Sequence, residues 1–149
     1  MGRYTTVTRT GYTDAPVDQI IALVSSTEGF TRINPHLTAD PKLEITPIGD
    51  AKGVGSGFAF RGKNGKGTQT VERVSDDHVD YSIDMGSMGR STQRISASAS
   101  THGGSDLEWT MVLDAGTNPM LRIFGMMANK VIGPTLETGI RNLATTPSH

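Results

Sequence analysis

The sequence predicts an α+β fold: a seven-stranded antiparallel sheet, two short helices between the first and second strands, and a long helix at the C-terminal end. Three observations carry that reading. Apolar spacing switches from alternation to a helical repeat soon after residue 13. Strand-like runs then follow one another from residue 41 to 115, separated only by turn signals. Beyond them the chain returns to helical spacing. Strands joined by consecutive hairpins pair antiparallel, and the helices before and after them cover one side of the sheet.

Residues 3–13 alternate loosely through Tyr4, Val7 and Tyr12 among many threonines, the composition of a strand. In DAPVDQIIALVSS, Val17, Ile20, Ile21 and Val24 fall at i, i+3, i+4 and i+7, one stripe of a helix. Asp14 or a neighbour is expected to cap it, with Pro16 in the first turn. TEGFTRINPHL reads as a second short helix ended by Pro35. Six strands follow: KLEITPI, GSGFAFRG, GTQTVERV, VDYSIDMG, STQRISASAS and DLEWTMVLDAG. Gly49-Asp50, Asn64-Gly65, Asp76-Asp77 and Gly103-Gly104 mark turns between them. In the last strand Leu107, Trp109, Met111 and Leu113 share one face, while Glu108, Thr110 and Asp114 share the other. One face is therefore buried.

Hairpin register extends that face. A two-residue turn at Asn64-Gly65 would set Phe60 opposite Gln69, Phe58 opposite Val71 and Ser56 opposite Arg73. If the phenylalanines point inward, so do Gln69, Val71 and Arg73. A two-residue loop at Asp76-Asp77 would then turn the next apolar set outward. A three-residue loop or a bulge is expected instead, keeping Val71 beside Ile83 and Arg73 beside Tyr81. Ile95, Ala97 and Ala99 add a stripe of smaller residues on the sixth strand. An inner face that mixes Gln69, Arg73 and Tyr81 with large apolar groups suits a cavity holding a polar ligand head better than a dry core. An arginine near the sheet end that reaches solvent along its stem is the simpler alternative for Arg73.

The terminal stretch NPMLRIFGMMANKVIGPTLETGIRNL has Asn118 as an expected N-cap and Pro119 at the first helical position. Met120, Phe124, Met127 and Val131 form one stripe, and Leu136, Ile140 and Leu143 form another, rotated well away from it. Pro134 lacks an N–H and crowds the carbonyl four residues back. A kink near residue 133 would let both stripes face one sheet. Methionine-rich stripes repack around varied shapes, although they are also ordinary core.

The chain has 149 residues, a net charge of −1 and no cysteine. That length fits one domain spanning 1–149. The charge gives no field for nucleic acid or an anionic membrane, and disulfides and thiolate metal sites are excluded. No run approaches a membrane span, and MGRYTTVTRT has no apolar core of a signal peptide, so a cytoplasmic protein is expected. His36, His78, His102 and His149 are scattered without ligand spacing, so no metal and no cofactor are expected. His36 is the one histidine placed for acid–base work, against a surface role. GVGSG precedes a strand rather than a helix, and RGKNGKG lacks the Lys-Ser/Thr ending of a phosphate loop, so neither reads as a nucleotide site.

The element order, together with TDAPVDQIIALVSS, the INPHL turn, GVGSGFAF, TVERVSDDHVDYSI and especially KVIGPTLETGIRNL, resembles the START-like, birch-pollen-allergen helix-grip superfamily. It is most similar to the polyketide cyclase/dehydrase branch, over nearly the whole chain. The resemblance implies a sheet gripping the terminal helix around a hydrophobic cavity, in a family of lipid, sterol, polyketide and hormone binders that also holds cyclases and dehydratases. On this reading Phe58, Phe60, Met85, Trp109, Met111, Phe124 and Met127 would line the cavity body, and Gln69, Arg73 and Tyr81 would hold a polar head. Three functions remain open: a binder of a hydrophobic or aromatic small molecule, a polyketide cyclase or dehydratase using the same cavity, and a protein-interaction module with a filled interior.

Overall fold

The computed structural model describes residues 4–63, 65–86, 89–114, 116 and 127–145. Strands β1 (Tyr4–Thr13), β2 (Glu44–Ile48), β3 (Gly57–Gly62), β4 (Gly65–Val74), β5 (His78–Asp84), β6 (Arg90–Ala99) and β7 (Ser105–Asp114) form one antiparallel sheet in the order β1-β7-β6-β5-β4-β3-β2. The expected seven strands are present, and five consecutive hairpins run from β2 to β7. β1 closes the far edge against β7, with Val7 opposite Met111 and Arg9 opposite Trp109.

Three short helices, not two, join β1 to β2: α1 (Val17–Val24), α2 (Thr27–Ile33) and α3 (Pro35–Ala39). Asn34 makes the difference. It breaks α2 with an extended backbone, and its side chain accepts from the His36 N–H at 2.9 Å. Pro35 thereby begins a third helix at its first position instead of ending the second. Asp14 does not cap α1; Pro16 occupies that position, and its carbonyl accepts from Gln19 and Ile20. Ile20, Ile21 and Val24 of the expected stripe are buried.

The terminal segment contains α4 (Ala128–Val131) and α5 (Gly133–Ala144), broken at Ile132. The break falls where Pro134 cannot donate to the Lys130 carbonyl. Leu136, Ile140 and Leu143 are buried against the sheet, Ile140 filling the place that a side chain at Gly11 would take. Asn142 donates to the Ile33 carbonyl and to Thr38 Oγ1, both at 3.0 Å, tying α5 to the helices between β1 and β2. The Asn118 cap, Pro119 and the Met120 and Phe124 positions lie outside the described residues.

Two registers differ from expectation. The β3–β4 pairing puts Gly62 opposite Gly65 and Phe58 opposite Gln69, so each partner lies two positions earlier than an Asn64-Gly65 turn gives. A shift of two preserves parity, so Phe58, Phe60, Gln69 and Val71 still share the inner face. Between β4 and β5 a bulge does occur, but between Val71 and Arg73. Val71 faces Tyr81, Gln69 faces Ile83, and Arg73 is turned out opposite Asp80. Arg73 is exposed on the outer face, which corrects its placement inside. The extra residue of the bulge reverses the side on which every later side chain of β4 falls.

Candidate functional site

The inner face divides into a filled half and an end that borders a groove. In the filled half Phe30 of α2 stands at the centre of an aromatic group. Its ring centroid lies 5.8 Å from Phe58, 5.3 Å from Tyr81 and 5.9 Å from Trp109, the last two edge to face. All four are buried. The Tyr81 hydroxyl donates to the Val24 carbonyl, and burial, then the neighbouring Asp80 charge, push its pKa well above the ordinary phenol range. Beneath the glycine-rich turn, which is pinned by Gly53 N–H to the Ser25 carbonyl at 2.8 Å, remains a void of about 10 Å³. That is room for about one water.

That end lies where β2, β3 and β4 meet the end of β5. A groove of about 460 Å³ runs there mostly along the outer face, past Glu44, Ala59, Arg61 and Thr68, and reaches Phe60, Gly67 and Met85 at its edge. Phe60 and Met85 are half-buried here. The Phe60 ring lies across Gly67, where a Cβ would stand 2.9 Å from its Cζ, so this glycine lets the aromatic lie flat on the sheet. Met111, also half-buried, sits between Val7 and Gln93 on the same inner face.

A polar diagonal crosses the inner face between these halves. Trp109 Nε1 donates to Gln93 Oε1 at 2.9 Å, and Gln93 Nε2 donates to Gln69 Oε1 at 2.8 Å. Both glutamines are 6% exposed.

Of the ten expected site residues, the structure brings Phe58, Tyr81 and Trp109 together around Phe30, and Phe60 and Met85 together at the groove. Gln69 stands between the two groups. Met127 is 53% exposed on the helix surface, beside the exposed Val131, and does not face the sheet. The break at Ile132 leaves Met127 and Val131 outside while Leu136, Ile140 and Leu143 are buried. Phe124 lies outside the described residues, and His36 is exposed.

Three inward residues were missed. Gln93 shares parity with Ile95 and Ala97, so the stripe read on that strand, continued one step back, points to it. Arg9 shares parity with Val7 and faces the helix break: its Nη2 donates to the Asn129 carbonyl at 3.2 Å and its Nε to Glu137 at 3.2 Å. Phe30 had no comparable signal, because a seven-residue helix is too short to define a stripe. Among the described residues no cluster of His, Asp or Glu could hold a metal, and no helix is long and apolar enough to cross a membrane.

A family model described as polyketide cyclase/dehydrase and lipid transport matches residues 4–146. The chain belongs to that family. Solved structures with the same fold include Ara h 8.0201, at TM-score 0.62 and 14% identity, covering 95% of this chain and 99% of that one. Protein CV1439 from Chromobacterium violaceum aligns at TM-score 0.66 and 11% identity, over 94% and 95% of the two chains. The di-domain ARO/CYC StfQ from the steffimycin biosynthetic pathway aligns at TM-score 0.65 and 8% identity, over 95% of this chain and 49% of its own. At such identities these likenesses establish the helix-grip fold alone. Comparison with curated protein sequences gives no match.

Proposed function

We propose that this family member binds a hydrophobic or aromatic small molecule, lipid- or polyketide-like, between the sheet and the C-terminal helix, with the groove beside β2, β3 and β4 as its entrance. The groove carries the reading. Its volume of about 460 Å³ falls within the roughly 300–1,000 Å³ of small-molecule sites. Phe60 and Met85 give it apolar contacts where it reaches the inner face. Phe60, Met85 and Met111 are the contacts for the ligand body, and Gln69 is the polar contact. Phe58, Tyr81 and Trp109 back the site, packed by Phe30, and set its depth.

Binding is favoured over catalysis by a specific observation. The Tyr81 hydroxyl is committed to the Val24 carbonyl, and Arg73 stands on the other face. A cyclase or dehydratase would lose two of the groups proposed to orient a carbonyl and move a proton. The filled aromatic half favours an interaction module, but the open groove beside it does not.

Native mass spectrometry of protein purified from its own host, followed by extraction, tests the proposal. A co-purifying apolar molecule, displaced in a Phe60→Ser variant, is the expected result. A clean mass, with no uptake of added fatty acids or aromatic ketones, would transfer the case to the interaction module.

A further inference from the structure

Arg9, Arg32, Arg90 and Arg94 each meet a carboxylate, at 3.2, 2.8, 3.6 and 2.6 Å. Arg61 and Lys66 do not. They stand directly opposite each other on the outer face of β3 and β4, and both are exposed. Among the described residues neither side chain has an ion pair or a hydrogen bond. Glu44 faces Arg61 from β2 without pairing with it. Like charges set opposite each other across two strands repel, and the net charge of −1 over the whole chain hides this local excess. Side chains so placed start roughly 5 Å apart at Cβ, so one small anion between their ends meets both.

The groove says what carries that anion. Both cations line it. Its outer-face floor is Ala59, half-buried between Thr46 and Thr68. Past Gly67, which has no side chain to stand in the way, the same groove reaches Phe60 and Met85 on the inner face. One molecule can therefore touch the cations and the apolar pair together. Flanking acids limit its charge. Glu44 closes one side of the groove, and Asp84, opposite Thr68 and 3.6 Å from Arg90, borders the other. A polyanion, whether nucleic acid or an acidic peptide, would run onto these carboxylates, whereas a single compact group avoids them.

Resting on the ligand-binding reading above, we infer that the ligand is an amphiphile with one anionic group, a carboxylate or a phosphate monoester. That group is held between Arg61 and Lys66 on the outer face, and the apolar body passes over Gly67 onto Phe60 and Met85.

The test uses cis-parinaric acid and its methyl ester, which share one fluorescent chain and differ in the charge at its end. Both are titrated into the intact protein at about pH 8, where a carboxylic acid is ionised, and followed by the rise in their own emission. The acid is expected to bind roughly tenfold more tightly than the ester, an advantage that shrinks as sodium chloride rises from about 20 mM to about 500 mM. The double variant Arg61→Gln, Lys66→Gln should lose the advantage while the ester binds as before. Both side chains are exposed, so the variant tests binding rather than folding. Lys130→Gln, which removes an exposed cation on α4, should keep the advantage. Equal affinity for acid and ester overturns the inference and leaves ligand binding standing. An advantage that survives in the double variant does the same, since the charge is then read elsewhere. So does displacement of the acid by micromolar inorganic phosphate, which would make the pair a site for free anions. Failure of both probes to bind overturns the ligand-binding reading and this inference with it.

Discussion

Replacing Gly139 with alanine should destabilise the protein even though alanine is the better helix former. Gly139 lies on the buried face of α5, directly over Trp109. A Cβ there would stand 2.3 Å from Cζ3, 2.8 Å from Cη2 and 2.9 Å from Cε3 of the indole. Carbon atoms pack at about 3.5–4.0 Å, so α5 or the ring must move by more than about 1 Å. Neither is free. α5 is tied to Ile33 and Thr38 through Asn142, and the indole is buried with its N–H on Gln93. Overpacking by one methyl costs roughly 1–3 kcal/mol. Moving the indole off Gln93 adds about 1–3 kcal/mol for a buried acceptor left unmade. The helix-propensity gain returns about 1 kcal/mol. The net expectation is a loss of roughly 1–5 kcal/mol. Urea unfolding followed by Trp109 emission and far-ultraviolet circular dichroism measures it, as a lower midpoint at unchanged slope. A variant as stable as the parent, or more stable, would refute the claim that α5 rests in contact with Trp109.

Two further expectations follow from buried polar groups. Burial raises the Tyr81 pKa above its unfolded value near 10, so the folded protein keeps a proton that the unfolded chain loses. Its contribution is complete below about pH 10 and falls by roughly 1.4 kcal/mol per pH unit above it, up to the folded pKa. Tyr81→Phe should flatten that alkaline decline, and unfolding curves between pH 9 and 11 that run parallel for the two proteins would count against it. Arg9→Ala should release the break between α4 and α5, speeding hydrogen exchange at residues 130–136 well beyond any change in β5 and β6. Equal slowing or no change there would show that the guanidinium does not hold the break.

Most of the fold was legible because it rests on period. The β7 alternation is found through Trp109, beyond which Met111 and Leu113 are half-buried, and the α1 stripe is found in the buried Ile20, Ile21 and Val24, with Val17 half-buried. Proline chemistry located the helix break at Ile132. Asn34 was harder: a residue that ends one helix and caps the next leaves no gap in the pattern, so two helices read as one. The site was less legible for a related reason. Arg73 was placed by counting two residues at a time along β4, and one bulge residue defeats that count. Gln93 was within reach of the same counting on β6, which has no bulge, but its polar side chain sets it apart from the apolar members of the stripe. Tyr81 was placed on the correct face, yet its neighbour, the Val24 carbonyl, comes from 57 positions away, and sequence spacing carries no information about such a contact.

The pairing of β1 with β7 also has a consequence for the order of assembly. Thr8 and Thr110, whose hydroxyls meet at 3.0 Å, are 102 positions apart. Each hairpin from β2 to β7 closes a far shorter loop, and the extra closure entropy for β1 is roughly 2–3 kcal/mol. During synthesis β1 leaves the ribosome first and must wait until its partner strand emerges. Its threonine-rich makeup, with Val7 its one buried aliphatic side chain, gives the waiting segment little with which to aggregate. The strand that completes the sheet is thus also one suited to remaining alone in water.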